Sequence, residues 1–190
     1  EIRLSLVGSE MCIRDSFKWS FAGGSHLRGA GILRDIRVSA NDGTAESTTG
    51  WGIAGSGKIE LPAHNNLVFE VSYGKGVGAY YNDGPLNGVY DPINSQIKLL
   101  PLFAYYVGLE HDWSETLSSS VLYSALKVDN LDSQPDESGH KSAYFSLNLK
   151  WHATPQQMYG IEFLSGGRRD KGGAEGTDNR IQLTGHYSLY

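Results

Sequence analysis

Apolar and polar side chains alternate with a period of two along most of this chain, and that pattern limits its fold more than any other feature. Between residues 143 and 152 the odd positions read Ala143, Phe145, Leu147, Leu149 and Trp151, and the even positions Tyr144, Ser146, Asn148, Lys150 and His152. An α-helix repeats every 3.6 residues and cannot sustain this alternation, so the stretch is read as a β-strand with one apolar face. The same pattern appears at Leu67, Phe69, Val71 and Tyr73, at Phe103, Tyr105, Val107 and Leu109, and at Leu117, Val121, Tyr123 and Ala125. It returns at Tyr159, Ile161 and Phe163, and at Ile181, Leu183, Tyr187 and Leu189. A further strand from about His26 to Val38 loses the pattern near Arg34 and Asp35, where a bulge or an exit from the apolar zone is expected.

Connections between these strands alternate in length. Short ones fall at 22–25, 62–65, 112–115 and 153–156; long ones, rich in Gly, Asp, Asn, Ser and Pro, fall at 41–49, about 76–95, 129–141 and 169–178. Strands of about ten to thirteen residues joined in this rhythm are the signature of an antiparallel up-and-down transmembrane β-barrel, whereas soluble sandwiches use strands of about five or six. Trp113 lies in a short turn, and Trp151, Tyr159 and Tyr187 lie near others, where an interfacial aromatic belt belongs. In such a barrel the odd face looks into lipid and the even face lines the interior.

The run Gly50-Trp51-Gly52-Ile53-Ala54-Gly55-Ser56-Gly57-Lys58 matches two phosphate-loop patterns, GxGxxG and GxxxxGK. Both require a helix immediately afterwards, yet Ile59 stands where Ser or Thr would hold magnesium, and Pro62 obstructs a helix begun at Lys58. At period two, Trp51, Ile53, Ile59 and Leu61 share one face, so the run is read as a strand. Gly50 and Gly52 are expected to keep the inner wall uncrowded, and Gly55 and Gly57 to sit outward where the sheet bends.

A net charge of −5 argues against nucleic acid as a partner, and no apolar run reaches the length of a membrane helix. The single cysteine, Cys12, lies in the leader EIRLSLVGSEMCIRDS, and residues 4–15 resemble the conceptual translation of a sequencing adapter. Residues 1–16 are therefore set apart from the native fold, which is expected to occupy 17–190 and to be a piece of a longer chain.

Two segments then carry a resemblance. Residues 108–126, GLEHDWSETLSSSVLYSAL, contain a His-x-Trp turn; residues 153–190 contain Gly-x-Glu in a strand, then Gly-x-Arg, then Asn-Arg-x-Gln opening the last strand. Together with SYGKGVGAYYND at 72–83, they resemble the C-terminal half of the DcaP-type outer-membrane porins of Gram-negative bacteria. The resemblance covers essentially the whole chain after the leader. It implies about eight to nine strands of a sixteen-stranded barrel, a homotrimer in outer-membrane lipid, and passive uptake of small anionic solutes such as dicarboxylates, with no cofactor. At the end of the chain Tyr187 and Leu189 occupy the lipid-facing register and Tyr190 overshoots it by one, a departure from the usual aromatic terminus of such barrels.

On the even face a basic ladder would attract an anion, because confined low-dielectric walls amplify the field. The candidates are Lys58, Lys150, Arg168 and Arg180, with His152 and Arg34 beside them and Arg28 and Arg37 on a strand of less regular pattern. Each could instead pair with a lumen carboxylate such as Glu60, Glu70, Glu110 or Glu162. His186 and Ser188 share a face, but no GxSxG elbow frames any serine, and the six histidines show no ligand spacing with a carboxylate; neither catalysis nor a metal is expected. An eight-stranded closed barrel from His26 onward with a structural or adhesion role, and a soluble lectin-like sandwich, remain as alternatives.

Overall fold

The computed structural model describes residues 12–39, 45–82, 87–91 and 96–188. The strands are β1 (Cys12–Ser20), β2 (His26–Ser39), β3 (Ala45–Leu61), β4 (Asn65–Lys75), β5 (Gly88–Asp91), β6 (Gln96–Leu99), β7 (Pro101–Asp112), β8 (Leu117–Val128), β9 (Gly139–Thr154), β10 (Gln157–Asp170) and β11 (Glu175–Tyr187). Nine of them form one antiparallel meander, in the order β1-β2-β3-β4-β7-β8-β9-β10-β11, and β5 and β6 make a separate hairpin inside the long connection after β4. Among the described residues no helix is long and apolar enough to cross a membrane, which says nothing of crossing by strands.

Register holds the two faces apart across the sheet, with shifts only at the two ends of the β9–β10 ladder, at Gln157/Met158 and Arg169/Asp170. One row of partners runs Lys58↔Val68, Val68↔Gly108, Gly108↔Leu122, Leu122↔Ser146, Ser146↔Leu164 and Leu164↔Arg180, and every member is even-numbered. Ladder pairing at this parity puts all odd side chains on a single surface. That surface is exposed: Ile53, Val71, Val107, Val121, Leu147, Leu149, Ile161, Phe163, Ile181 and Leu183 all face solvent, and no strand exposes a large apolar side chain at an even position among the described residues. A soluble sandwich would bury these groups together, so that alternative is excluded by the side of the sheet they occupy.

Aromatic side chains mark both ends of the apolar band. Near the short turns Trp19 meets Phe21 at 4.7 Å and Trp151 meets Tyr159 at 6.0 Å, both tilted, and His111 meets Trp113 edge to face at 4.3 Å. Toward the long connections Trp51 meets Tyr73 at 5.8 Å, and Tyr105 meets Phe103 at 6.0 Å and Tyr123 at 6.2 Å. From Phe103 to Trp113, at about 3.4 Å per residue and a tilt of about 40°, the band is about 25 Å tall, which suits the hydrocarbon core facing such barrels.

Two expectations change, the lengths of two loops and the closed eight-stranded alternative, and the choice between a bulge and an exit on β2 is decided. No bulge interrupts β2, since pairing runs unbroken through Arg34↔Gly50, Asp35↔Thr49 and Ile36↔Thr48. Instead the strand leaves the apolar band there: Asp35 and Arg37 point outward and Ile36 inward, where it is buried. The expected loops at 41–49 and 169–178 are shorter than the sequence suggested, because β3 begins at Ala45 and β10 and β11 leave only 171–174 between them. Beyond the band both faces are wet and alternation lapses, although the ladder continues. The closed eight-stranded barrel would need β11 against β2, but β2 is paired with β1 and β3, and β11 with β10. β1 itself includes Cys12–Ser16 of the leader, paired with β2 from Cys12↔Arg34 to Ser20↔His26. Residues 1–11, Asn41, Leu189 and Tyr190 lie outside the described residues.

Candidate functional site

The inner face carries an unexpected layer. The described parts of the long connection, 76–82, 87–91 and 96–100, fold back against the even side of β3, β4 and β7, so Val77, Leu100, Leu102, Ala104 and Val128 form a buried apolar cluster, with Ile32, Tyr81, Val89, Leu126 and Leu131 packed around it. Glycine makes the approach possible. Gly52 and Gly74 are register partners beneath Val77, and a Cβ on Gly52 would lie 3.1 Å from Val77 Cγ1, while one on Gly74 would collide with the Trp51 carbonyl. The connection begins at Gly76, whose φ of +74° a branched residue would resist. The glycines of the phosphate-loop-like run thus make room for a folded-in segment, not for an open bore. Gly55 has nothing within 4 Å, whereas a Cβ on Gly57 would press within 2.8 Å of Leu27 and Phe69.

Polar contacts tie the segment down. The Tyr81 hydroxyl donates to Ser72 Oγ at 2.7 Å, and buried Ser72 donates to the Ala104 carbonyl at 3.3 Å. Arg34 Nη1 donates to the Gly76 carbonyl at 3.4 Å, and the guanidinium carbon stands 5.3 Å from the centroid of the Tyr80 ring, a cation–π geometry. A short 3-10 turn at Gly78–Tyr80 is closed by the Asn87 side chain, which accepts from Ala79 N at 3.0 Å. A second connection, 129–138, is held from outside: Lys171 Nζ donates to the carbonyls of Asp132 and Gln134 at 2.8 and 2.6 Å, and Arg168 Nη2 to that of Glu137 at 3.0 Å.

Between the folded segment and the strands lies a cavity of about 540 Å³ lined by Glu70, Tyr80, Tyr81, Asn82, Tyr106 and Tyr144. Next to it a second, of about 640 Å³, is lined by Asn82, His140, Tyr144, Arg168, Thr177 and Asp178. These walls are rich in hydroxyls and amides, which both donate and accept, with a few charges.

All the basic candidates on the strands' even positions lie on the inner face, but at different levels. Lys150 and His152 lie near the short turns, where the His152 backbone N–H donates to the Thr116 carbonyl at 2.8 Å. Lys58 and Arg180 belong to one row, six strands apart, and Lys58 Nζ lies 3.9 Å from Glu110 Oε2. Arg168 is at the long-connection end, bonded to Asp170 at 2.7 Å. Arg34 is buried beneath the folded segment. Arg28 faces inward and Arg37 outward. The structure therefore does not gather them into one ladder. Ser188 Oγ lies 3.3 Å from His186 Nε2 at the exposed end of β11.

The residues that sequence reasoning passed over are Ser72, Tyr80, Tyr81, Tyr106 and Tyr144. A signal was present: the even positions Ile32, Ile36, Leu102, Leu126 and Val128 are apolar on a face expected to be wet, so something had to cover them.

No protein-family model matches the chain, and no curated protein matches it in sequence. Solved structures do match in fold. The chain superposes on the outer membrane channel DcaP of Acinetobacter baumannii with a TM-score of 0.71 and 16% identity, over 96% of this chain and 64% of that one. It also matches the NanC porin with a TM-score of 0.50 and 10% identity, over 95% of this chain and 94% of that one. The chain thus has a porin fold and spans less than two thirds of the length of the DcaP channel. Both matched structures are porins or channels rather than enzymes.

Proposed function

We propose that this chain is part of the wall of a water-filled channel in the outer membrane of a Gram-negative bacterium, through which small anionic solutes such as dicarboxylates diffuse. The observation that carries the proposal is the inverted sheet: large apolar groups stand exposed on the odd face between two aromatic belts, and the even face carries hydroxyls, charges and a folded-in segment. Lipid is the solvent that rewards such an exterior, and a sheet crossing it must close on itself to pair its edges. β1 and β11 do not pair with each other, so closure is assigned to further strands of a longer protein, a homotrimer in its complete form. Residues 1–16 are taken as foreign to that protein; Asp15 supports this, since it points outward six residues from Phe21, inside the apolar band.

Within the channel, Lys58, Lys150, Arg168 and Arg180, with His152 and Arg34, bias the interior toward anions, while Tyr80, Tyr81 and Asn82 narrow it. No catalytic group is required. The test is conductance of the complete protein in planar bilayers under a salt gradient. Anion preference is expected, and Lys150→Glu or Arg180→Glu should move the reversal potential toward cation preference. Absence of channels across repeated fusions would overturn the proposal.

A further inference from the structure

Outward of the upper aromatic belt, three cations stand side by side on three adjacent strands. Lys127 is the register partner of Lys141, and Lys141 that of Arg169, all on the odd face. Like charges directly opposite one another in an antiparallel pair repel, so the row is a local cost that an anion between them would offset. Two of the three lean on carboxylates at the ends of the row, Lys127 on Asp129 at 2.9 Å and Arg169 on Glu175 at 3.5 Å. All four of these side chains are at least half exposed, so the pairs hold little energy against a competing dianion. Lys141, in the middle, is exposed.

Immediately below the cations the same strands carry small residues in register, Ala125↔Ala143 and Ala143↔Gly167. The result is a depression of about 330 Å³ in the outer wall, capped by Lys127, Lys141 and Arg169 and flanked by Phe103, Tyr105 and Tyr123. Charge above, aromatic edges beside and an apolar floor beneath match the layers of one amphiphile: phosphate, carbohydrate and acyl chain.

We infer that this depression is a binding site for a phosphorylated glycolipid of the outer leaflet, with its phosphate over Lys127, Lys141 and Arg169 and its upper acyl segment along Ala125, Ala143 and Gly167. The inference rests on the odd face meeting lipid, as proposed above. The occupant is a membrane lipid and not a free anion, because the cations stand at the rim of the apolar band instead of inside the bore.

The test uses the complete protein in neutral detergent, with bound lipid counted by native mass spectrometry after titration with lipid A or its dephosphorylated form. The phosphorylated lipid should be retained at least tenfold more tightly, and Lys141→Gln should weaken retention about fivefold, with a similar further factor for each of Lys127→Gln and Arg169→Gln. Arg37→Gln, outward on β2 and away from the site, should leave retention unchanged while reporting the same folded gel mobility. Equal retention of the two lipids, indifference to the three substitutions, displacement by millimolar inorganic phosphate, or disulfide cross-linking of Lys141→Cys to a second copy would each overturn the site. If the unaltered protein held neither lipid form and stayed soluble without detergent, the membrane reading would fall and take this one with it.

Discussion

The Tyr81 hydroxyl and Ser72 Oγ, 2.7 Å apart, join the folded-in segment to the inner face of the sheet, and Ser72 passes the connection on to the Ala104 carbonyl at 3.3 Å. Replacing Tyr81 with Phe removes the first bond and leaves Ser72 satisfied by the second. Such a bond is worth about 1 kcal/mol net, so the docked population of the segment should fall several-fold without loss of the barrel. Single-channel records of Tyr81→Phe should show more frequent current steps than the parent, and limited proteolysis within 76–100 should be faster. Identical records and cleavage rates would remove this bond from the account.

Val77 occupies the space left by the absent side chains of Gly52 and Gly74. Gly74→Ala places a methyl group against the Trp51 carbonyl and 3.0 Å from Val77 Cγ2, and should cost about 1 to 3 kcal/mol in urea unfolding. Gly55→Ala, where nothing lies within 4 Å, should stay within about 0.5 kcal/mol of the parent. Equal costs at the two positions would contradict the inward docking of the segment.

Outward and inward positions should respond oppositely to charge. Leu147, exposed between Val121 and Phe163, faces the middle of the band, so Leu147→Arg should destabilise the protein in bilayers by about 2 to 4 kcal/mol. Ser120→Arg, inward and opposite Glu110, should cost little. A reversed order, measured by unfolding from lipid vesicles, would turn the sheet inside out.

The turn between β3 and β4 holds Ala63 and His64 at φ of 60° and 58°, a conformation that side chains resist. Asn65 Nδ2 bonds the carbonyls of Pro62 and Ala63 at 2.8 and 3.2 Å to keep it, and the His64 carbonyl accepts from Asp112 N at 3.1 Å. Ala63→Gly should stabilise the protein by roughly 0.5 to 1 kcal/mol, seen as a raised urea midpoint with an unchanged slope. A lowered midpoint would show that the backbone is not strained there.

Much of the sheet could be read directly from the chain. The odd-even parity of Phe145 to Trp151 and of Leu67 to Tyr73 named the strands and the surface each side chain would share, because a strand's side-chain period is fixed by backbone geometry alone. The short turns at 62–65, 112–115 and 153–156 followed from the same local chemistry. At Ala45 to Thr49 and at Glu175 to Asp178 parity could not help, since polar residues on both faces of a wet hairpin read as loop although they still pair.

The candidate site was legible only as a list of even-numbered charges. Their separation into levels, the pairing of Lys58 with Glu110 and the burial of Arg34 depend on how far each strand is offset from the next, which no single strand encodes. The chain by itself determined that one face is greasy and the other wet, since that needs only neighbours two residues apart. The tertiary structure alone decided that Val77, Tyr80 and Tyr81 lie against Gly52, Arg34 and Ser72, because contacts between residues so distant along the chain arise only when the offsets of several strands add up and bring a loop over the face they share.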